Sequence, residues 1–187
     1  MKIGIMGEQG SFSEQAARTY CSENPSFACE IDYLVNAERV LSALESGAID
    51  RGIFPIENSN GGIVLEAVHA MSKHNFDIEK MFEIEVKHNL LVFPGMKAAD
   101  ITVITSHDQA IKQCRMYLKR VWPHVDIQVY ADTALAAKDI KNGILPPTTA
   151  AIASKGAADL YGLDVLDEGI QDLKFNYTTF IAAKTNR

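Results

Sequence analysis

A carboxylate, amides and a hydroxyl stand side by side in the stretch FPIENSNGG, residues 54–62. An apolar run precedes these residues and an amphipathic pattern follows, which predicts a junction between a strand and a helix. In an open α/β sheet, ligands bind at the carboxyl ends of strands. An Asn-Gly turn is common by itself, but such a turn does not require Glu57, Asn58 and Ser59 before it. We therefore interpret these three residues as candidates for binding or catalysis.

The stretch GEQGSFSE, residues 7–14, also joins a predicted strand to a predicted helix. Ser11 and Glu14 have the spacing of a capping box at the start of that helix. The first N–H groups of a helix can bind a carboxylate or a phosphate. The stretch matches neither the dinucleotide-binding nor the P-loop glycine pattern. Taken alone, it indicates a capped helix after a tight turn.

A third junction, TSHDQAIKQC at residues 105–114, places Ser106 or His107 at a helix start. Gln109 and Gln113 are four residues apart and share one helix face. Taken alone, the pattern predicts an N-cap at Ser106 and a solvated side chain at Gln113.

Composition and missing motifs exclude several classes of function. The formal net charge of −6 argues against nucleic acid or an anionic membrane surface as a partner. The five histidines lack metal-site spacing such as H-E-x-x-H, and no G-x-S-x-G nucleophile motif is present. We therefore expect no metal and no cofactor, which leaves positioning, hydrogen bonding and acid catalysis.

The cysteines and the N-terminal sequence indicate the cellular compartment in which the protein is expected. Cys21, Cys29 and Cys114 have neither zinc-site nor C-x-x-C spacing, which predicts reduced structural thiols. The start of the chain does not read as a secretory signal. No apolar run approaches the roughly 18 residues that a membrane span needs. We expect a soluble, cytoplasmic protein.

Short apolar runs alternate with amphipathic segments, which predicts an α/β fold with parallel strands. Residues 76–93 form a long extended segment instead, typical of antiparallel or lobe-crossing strands. The chain closes with NYTTFIAAK, residues 176–184, whose aromatic and β-branched residues predict a strand. We predict one domain of two lobes with a central cleft, in which 1–76 and 171–187 form a discontinuous first lobe and 77–170 the second.

Taken together and in order, seven stretches resemble the catalytic domain of prephenate dehydratase: GEQGSFSEQAA, PIENSNGGIV, ITSHDQAIKQC, ADTALAAKDI, AAIASKGAADLYGL, IQD and NYTTF. They span nearly the whole chain. The resemblance implies a type II periplasmic-binding-protein-like fold and a homodimer or larger assembly. It also implies that the phenylalanine-binding regulatory domain of most family members is missing here.

The resemblance implies conversion of prephenate, a small dicarboxylate, to phenylpyruvate with loss of water and CO2, as a step of phenylalanine biosynthesis. Thr178 matches the family's essential Thr, which would donate to the departing hydroxyl. The other positions tied to activity or to the shape of the pocket are Glu57, Asn58, Ser106 and Gln113. The residues that we expect to bind or surround the substrate are Ser11, Ser59, Thr179, Phe180 and Lys174.

The family motif Thr-Arg-Phe is altered to Thr178-Thr179-Phe180 in this chain. Loss of a charge-assisted hydrogen bond to a carboxylate costs about 1.5–3 kcal/mol. Alternation along a strand turns residue 179 away from the face that carries residue 178, and Lys174 is a candidate substitute cation. Two alternatives therefore stay open: a relative that decarboxylates prephenate without expelling its hydroxyl, and a non-catalytic protein that binds a small anion. The choice between prephenate and arogenate also stays open.

Overall fold

The structure, a computed structural model, describes residues 1–23, 25–26 and 28–186. The chain divides into two compact units, the first built from Met1–Glu85 and Tyr177–Arg187 and the second from Val86–Asn176. These limits differ from the expected boundaries after residues 76 and 170. The segment that follows residue 76 lies in the first unit because it pairs along its length with the final strand.

The first unit contains six strands and three helices among the described residues. In chain order they are β1 (Lys2–Ile5), α1 (Phe12–Glu23), β2 (Glu30–Tyr33), α2 (Ala37–Glu45), β3 (Arg51–Asn58), β4 (Gly62–Ile63), α3 (Leu65–Met71), β5 (Asp77–Glu85) and β11 (Tyr177–Lys184). The sheet order is β2-β1-β3-β11-β5, and β4 pairs with β3. Strand β1 is parallel to both of its neighbours, whereas β11 is antiparallel to both of its own.

Strand β3 continues through the first two polar residues of the 54–62 stretch, although a proline lies within it. Thr179 pairs with Glu57 and Phe180 with Pro55, so Ile56 is an extra residue in a bulge. Proline has no N–H to give to a ladder and is tolerated in strands at such bulges. Glu57 therefore belongs to a strand and not to a loop, and its side-chain direction is set by strand alternation.

Helices cover both faces of this sheet. On the α1 face, Phe180 packs with β-strand and α1 side chains; on the α2–α3 face, Ile181 packs with Phe54. Gly52 is required on β3 because an added Cβ would lie 2.7 Å from Cγ1 of Val40 on α2. Alternate residues of β11 thus pack into cores on opposite faces of the sheet.

The second unit has its own sheet. Its elements are β6 (Asn89–Val92), a 3-10 helix (Ala98–Asp100), β7 (Val103–Ser106), α4 (Asp108–Gln113), α5 (Arg115–Val121), β8 (Asp126–Val129), α6 (Thr133–Lys141), β9 (Thr149–Ala153), α7 (Lys155–Tyr161) and β10 (Asp164–Asp167). The order is β10-β6-β9-β7-β8, with β7 parallel to both of its neighbours. Across the described ranges, no helix is long and apolar enough to cross a membrane.

Helices α4 and α5 replace the single helix that the pattern of residues 107–121 indicates. The backbone leaves helical geometry at Cys114, and the carboxylate of Asp172 accepts hydrogen bonds from the N–H groups of Met116 and Tyr117. A carboxylate in this position caps a new helix start. A residue almost 60 positions downstream therefore divides the predicted helix.

The expectation of three reduced thiols is wrong for two of them. Cys21 at the end of α1 and Cys29 before β2 form a disulfide, with Cα atoms 6.3 Å apart. Cys29 lies one residue before β2 and eight positions after Cys21, so the disulfide joins α1 to the start of β2. Cys114 is a buried free thiol, and burial raises its pKa.

Candidate active site

Asn58 and Thr178 form a polar pair in the first unit. They lie opposite each other on β3 and β11, and both are buried. The Asn58 Nδ2 donates to Thr178 Oγ1 at 2.9 Å and to the Tyr177 carbonyl at 3.2 Å. Its Oδ1 accepts from the N–H groups of Asn60 and Gly61 at 3.0 and 2.8 Å. These two backbone donors determine which end of the carboxamide faces Thr178.

The orientation of Asn58 sets the role of the Thr178 hydroxyl. Because Oγ1 accepts a hydrogen bond from the Asn58 amide, the hydroxyl proton must point in another direction. Ser59 supports this arrangement: its N–H donates to the Tyr177 carbonyl at 2.8 Å, and its Oγ accepts from the Tyr177 N–H at 3.0 Å. The residues after β3 thus hold the start of β11 and present Thr178 as a donor.

Glu57 and Thr179 lie on the opposite face of the sheet. Thr179 pairs with Glu57 on β3 and with Glu83 on β5, and directly paired residues project to the same side. Glu57 is exposed. The structure therefore brings Asn58 to Thr178 but places Glu57 beside Thr179, at the position where the family motif has Arg.

Half of the predicted capping box is present at the start of α1, because the Glu14 carboxylate accepts from the N–H of Gly10 and not from that of Ser11, which donates to the Glu8 carbonyl. The Glu14 N–H donates to Ser11 Oγ at 3.3 Å, and the buried Glu14 carboxylate accepts from the Gly10 N–H and from the Arg18 guanidinium. Burial would raise the pKa of Glu14, but these hydrogen bonds outweigh it and hold the pKa below its usual value. The Ser11 hydroxyl thus occupies the N–H of Glu14, one of the first N–H groups of the helix that the sequence suggested for a ligand.

Ser106 in the second unit is fully buried at the end of β7. Its Oγ donates to the Ile152 carbonyl of β9 at 2.6 Å. The N-cap of α4 is His107, whose Nδ1 accepts from the Gln109 N–H. The predicted N-cap at Ser106 is therefore wrong, because the buried hydroxyl joins two strands.

Gln113, the last residue of α4, is the centre of a polar cluster in the second unit. Its Oε1 lies 2.8 Å from His88 Nε2 and accepts from Asn176 Nδ2, also at 2.8 Å. Burial lowers the pKa of His88, although the hydrogen bond to Gln113 opposes this effect. The sequence motifs missed His88 and Asn176, because the partners are 25 and 63 residues from Gln113. Gln113 is thus not the merely solvated residue that its local pattern indicates.

The remaining predicted residues differ in environment. Phe180 is 1% exposed and stacks on Phe82 with ring centroids 6.1 Å apart, which is a packing role. Lys174 is exposed between β10 and β11. Over the described residues, no cluster of three or more His, Cys, Asp or Glu side chains is arranged to hold a metal ion.

Comparison with known proteins identifies the family. The family model described as prephenate dehydratase matches residues 3–187. The chain is 34% identical to arogenate dehydratase 5 of Arabidopsis thaliana, over 97% of this chain and 41% of the relative. It is 32% identical to the bifunctional chorismate mutase/prephenate dehydratase of Stutzerimonas stutzeri, over 97% of this chain and 48% of the relative. The chain thus spans less than half the length of these relatives.

Solved structures confirm the predicted fold class. A prephenate dehydratase from Arthrobacter aurescens in complex with L-Phe has a TM-score of 0.89 at 26% identity, covering all of this chain and 60% of that one. A protein described as a quorum quenching acylase, GqqA, has a TM-score of 0.82 at 26% identity, covering all of this chain and 65% of that one. A nutrient binding protein from Burkholderia cenocepacia, 13% identical, has a TM-score of 0.52 over 98% of this chain and 84% of that one, and shows the fold alone.

Proposed function

We infer that this chain, which belongs to the prephenate dehydratase family, converts prephenate to phenylpyruvate, water and CO2. This reaction would make it a carbon–oxygen lyase of phenylalanine biosynthesis. The observation that carries the proposal is the hydrogen bond from Asn58 to Thr178, which turns a buried hydroxyl into a directed donor.

The reaction has simple electronic demands. The ring carboxylate leaves as CO2, its bonding electrons enter the ring, and the C4–O bond breaks so that the ring becomes aromatic. The departing oxygen gains negative charge as this bond breaks, and a donor hydrogen bond at that oxygen lowers the barrier. The proposal assigns this donor to the Thr178 hydroxyl. Net uptake of one proton from solvent converts the departing hydroxide into water and balances the charge.

Asn58 would act on the same step through Thr178. Its Nδ2 donates to Thr178 Oγ1, so the Thr178 hydroxyl does not donate its own proton to this neighbour within the sheet. The two backbone N–H groups on Oδ1 prevent the carboxamide from turning over. A donor that is already oriented requires no reorganisation during the reaction, which is the main source of electrostatic catalysis.

A second candidate reaction is favoured by the exchange of Arg for Thr179. An enzyme that removes the ring carboxylate but keeps the C4 hydroxyl needs no donor at the departing oxygen, and its product is a dihydro compound. The buried Asn58–Thr178 pair supports the dehydratase over this alternative, because a decarboxylase would have no use for it. Product analysis separates the two reactions.

The test is incubation of the purified protein with prephenate and, separately, with arogenate. Phenylpyruvate is measured by the absorbance of its enolate in base, and phenylalanine from arogenate by chromatography. We expect an aromatic product from at least one substrate, with the higher kcat/KM identifying the natural one. A hydroxylated, non-aromatic product would replace the proposal by the decarboxylase, and binding without turnover would replace it by a small-anion binder.

We also propose a homodimer or larger assembly. A cytoplasmic location is proposed as well, although the Cys21–Cys29 disulfide is of a kind that is rare in that compartment. Light scattering coupled to size-exclusion chromatography tests the first, with a monomer mass of 20.6 kDa as the reference. Fractionation of the source cells tests the second. A monodisperse 20.6 kDa species with full activity would contradict the assembly.

A further inference from the structure

Strand β5, at one edge of the first sheet, is covered by helices on only one face. On the α1 face, its Ile84 is buried. On the α2–α3 face, Ile181 of β11 is buried, but Met81, its partner on β5, is 54% exposed. Ile78 is 48% exposed, although its partner on β11, Ala183, is fully buried. The helices on this face therefore reach β11 but leave apolar residues of β5 uncovered.

Two carboxylates lie on the same face of the sheet as these apolar residues. Thr179 pairs with Glu57 on β3 and with Glu83 on β5, and paired residues project to the same side. Both carboxylates are exposed, and neither has a hydrogen bond or an ion pair within the described part of the chain. Two strand spacings place their Cα atoms roughly 10 Å apart. We define the open face as Glu57, Ile78, Met81, Glu83 and Thr179.

Helix α5 of the second unit carries the opposite charge on an exposed side. Arg115, Lys119 and Arg120 are exposed, and none of their side chains has a hydrogen bond or an ion pair with a described residue. Spacings of three and four residues place them around Met116, which is 72% exposed. Tyr117 is buried on the other side of the helix. We define the basic face as Arg115, Met116, Lys119 and Arg120.

We propose that the open face of one copy of this chain binds the basic face of a second copy. Each face combines exposed apolar side chains with unpaired charges of one sign, and the signs are complementary. A cation placed over the short Thr179 side chain would lie between Glu57 and Glu83. Met116, with its flexible thioether, would contact the apolar residues of β5. The inference rests on the assembly proposed above and is independent of the reaction.

The charges of β5 argue against a different contact, in which the same strand pairs with itself across two copies. An antiparallel pairing centred on Met81 would place Asp77 opposite Glu85 and Glu79 opposite Glu83. Like charges directly opposite each other destabilise a sheet. A basic surface is therefore the better partner for β5, and every copy carries one on α5.

Reversal of one charge on each face tests the contact. Glu83→Lys alters the open face and Arg120→Glu alters the basic face, and a dilution series with light scattering measures association against the monomer mass of 20.6 kDa. Each variant alone should associate at least about tenfold more weakly than the wild type, because like charges would meet. Glu30→Lys makes the same charge change on β2, at the other edge of the sheet, and should leave association unchanged.

An equimolar mixture of the two variants separates loss of the contact from misfolding. In the mixture, the altered open face of one variant meets the altered basic face of the other, and the two unaltered faces meet as in the wild type. This holds for a closed dimer and for a ring of alternating variants, because each copy carries one face of each kind. We expect the mixture to regain the mass of the wild-type assembly, which misfolded variants could not do.

The other outcomes would overturn the inference in distinguishable ways. A monomeric wild type would remove both the assembly and the contact. A wild-type assembly that either variant leaves intact would keep the assembly and remove the contact. Two weakened variants that do not recover on mixing would show that the two faces do not meet each other. None of these outcomes bears on the proposed reaction, which the product assay tests separately.

Discussion

The carboxamide nitrogen of Asn58 lies 2.9 Å from the hydroxyl oxygen of Thr178, although the two residues are 120 positions apart in the chain. The contact joins the end of β3 to the second residue of β11. Because the Asn58 oxygen is held by two backbone N–H groups, the contact has a direction: Asn58 donates and Thr178 accepts. Thr178 is thereby left to donate elsewhere.

Removal of the Thr178 hydroxyl tests its role as the donor. Thr178→Val keeps the shape of the side chain, and we expect kcat with prephenate to fall by about 10²- to 10⁴-fold, the range for loss of a proton-donating group. Thr178→Ser keeps the hydroxyl and is the matched control, with kcat within about tenfold of the wild type. A Thr178→Val enzyme with unchanged kcat would remove this residue from the mechanism.

Asn58→Asp tests the direction of the hydrogen bond. One carboxylate oxygen can still accept from the N–H groups of Asn60 and Gly61. The other oxygen faces Thr178 and accepts a hydrogen bond from its hydroxyl, which then no longer donates elsewhere. We expect kcat to fall by about 10²-fold or more. In the double variant with Thr178→Val the losses should not add, because both act on one interaction. Additive losses would mean that Asn58 acts independently of Thr178.

Thr179→Arg should stabilise the first unit. The new guanidinium would lie between Glu57 and Glu83, which are paired with residue 179 on the two neighbouring strands. We expect the free energy of unfolding in urea to rise by about 0.5–1 kcal/mol at low salt and the gain to shrink in 1 M NaCl. Thr179→Met adds length without charge. An equal gain in that variant would show that packing, not charge, is responsible.

His74 makes stability depend on pH. Its Nδ1 lies 2.7 Å from Glu45 and its Nε2 3.1 Å from Glu38. The hydrogen bond to Glu45, then that to Glu38, outweigh desolvation and raise the pKa of His74. The contact with His74 lowers the pKa of Glu38, and the N–H of Asn75, then the contact with His74, lower the pKa of Glu45. The contribution of His74 to the free energy of unfolding is complete below the pKa of the unfolded state, about 6.5, and is lost as pH rises through the raised pKa of the folded state. The contribution of the two carboxyls is lost as pH falls through their lowered pKa.

Urea unfolding at pH 5.5 and pH 9 measures this effect. We expect the destabilisation caused by His74→Gln, relative to the wild type, to be larger at pH 5.5 than at pH 9. His124→Gln, at an exposed position, is the control for the substitution itself. A destabilisation by His74→Gln that is equal at both pH values would show that the imidazole is neutral throughout.

The Cys21–Cys29 disulfide should contribute measurably to stability. Cross-linking residues eight positions apart restricts the unfolded chain, which corresponds to about 2–3 kcal/mol. We expect Cys21→Ser/Cys29→Ser to lower the free energy of unfolding by that amount, and dithiothreitol to destabilise the wild type but not the double variant. Thiol titration of the denatured, unreduced protein should find Cys114 alone. Reaction of all three cysteines would contradict the pairing.

Local patterns predict much of the fold because they depend on neighbours in sequence. Apolar periodicity indicated the strands and helices, and the Ser11–Glu14 spacing predicted the start of α1. Strand alternation alone separated Thr178 from Thr179, and the two cores confirm that β11 presents alternate residues to opposite faces. Such features require only the residue types and a period of two or 3.6.

Only the tertiary structure decided the polar contacts. It placed Glu57 beside Thr179 and not beside Thr178, buried Ser106 against β9, and joined His88 and Asn176 to Gln113. The partners in these contacts are separated by 25 to 122 residues. A hydrogen bond over such a separation depends on sheet order and register. Sheet order and register result from the packing of the whole unit, and no local periodicity of the sequence indicates them.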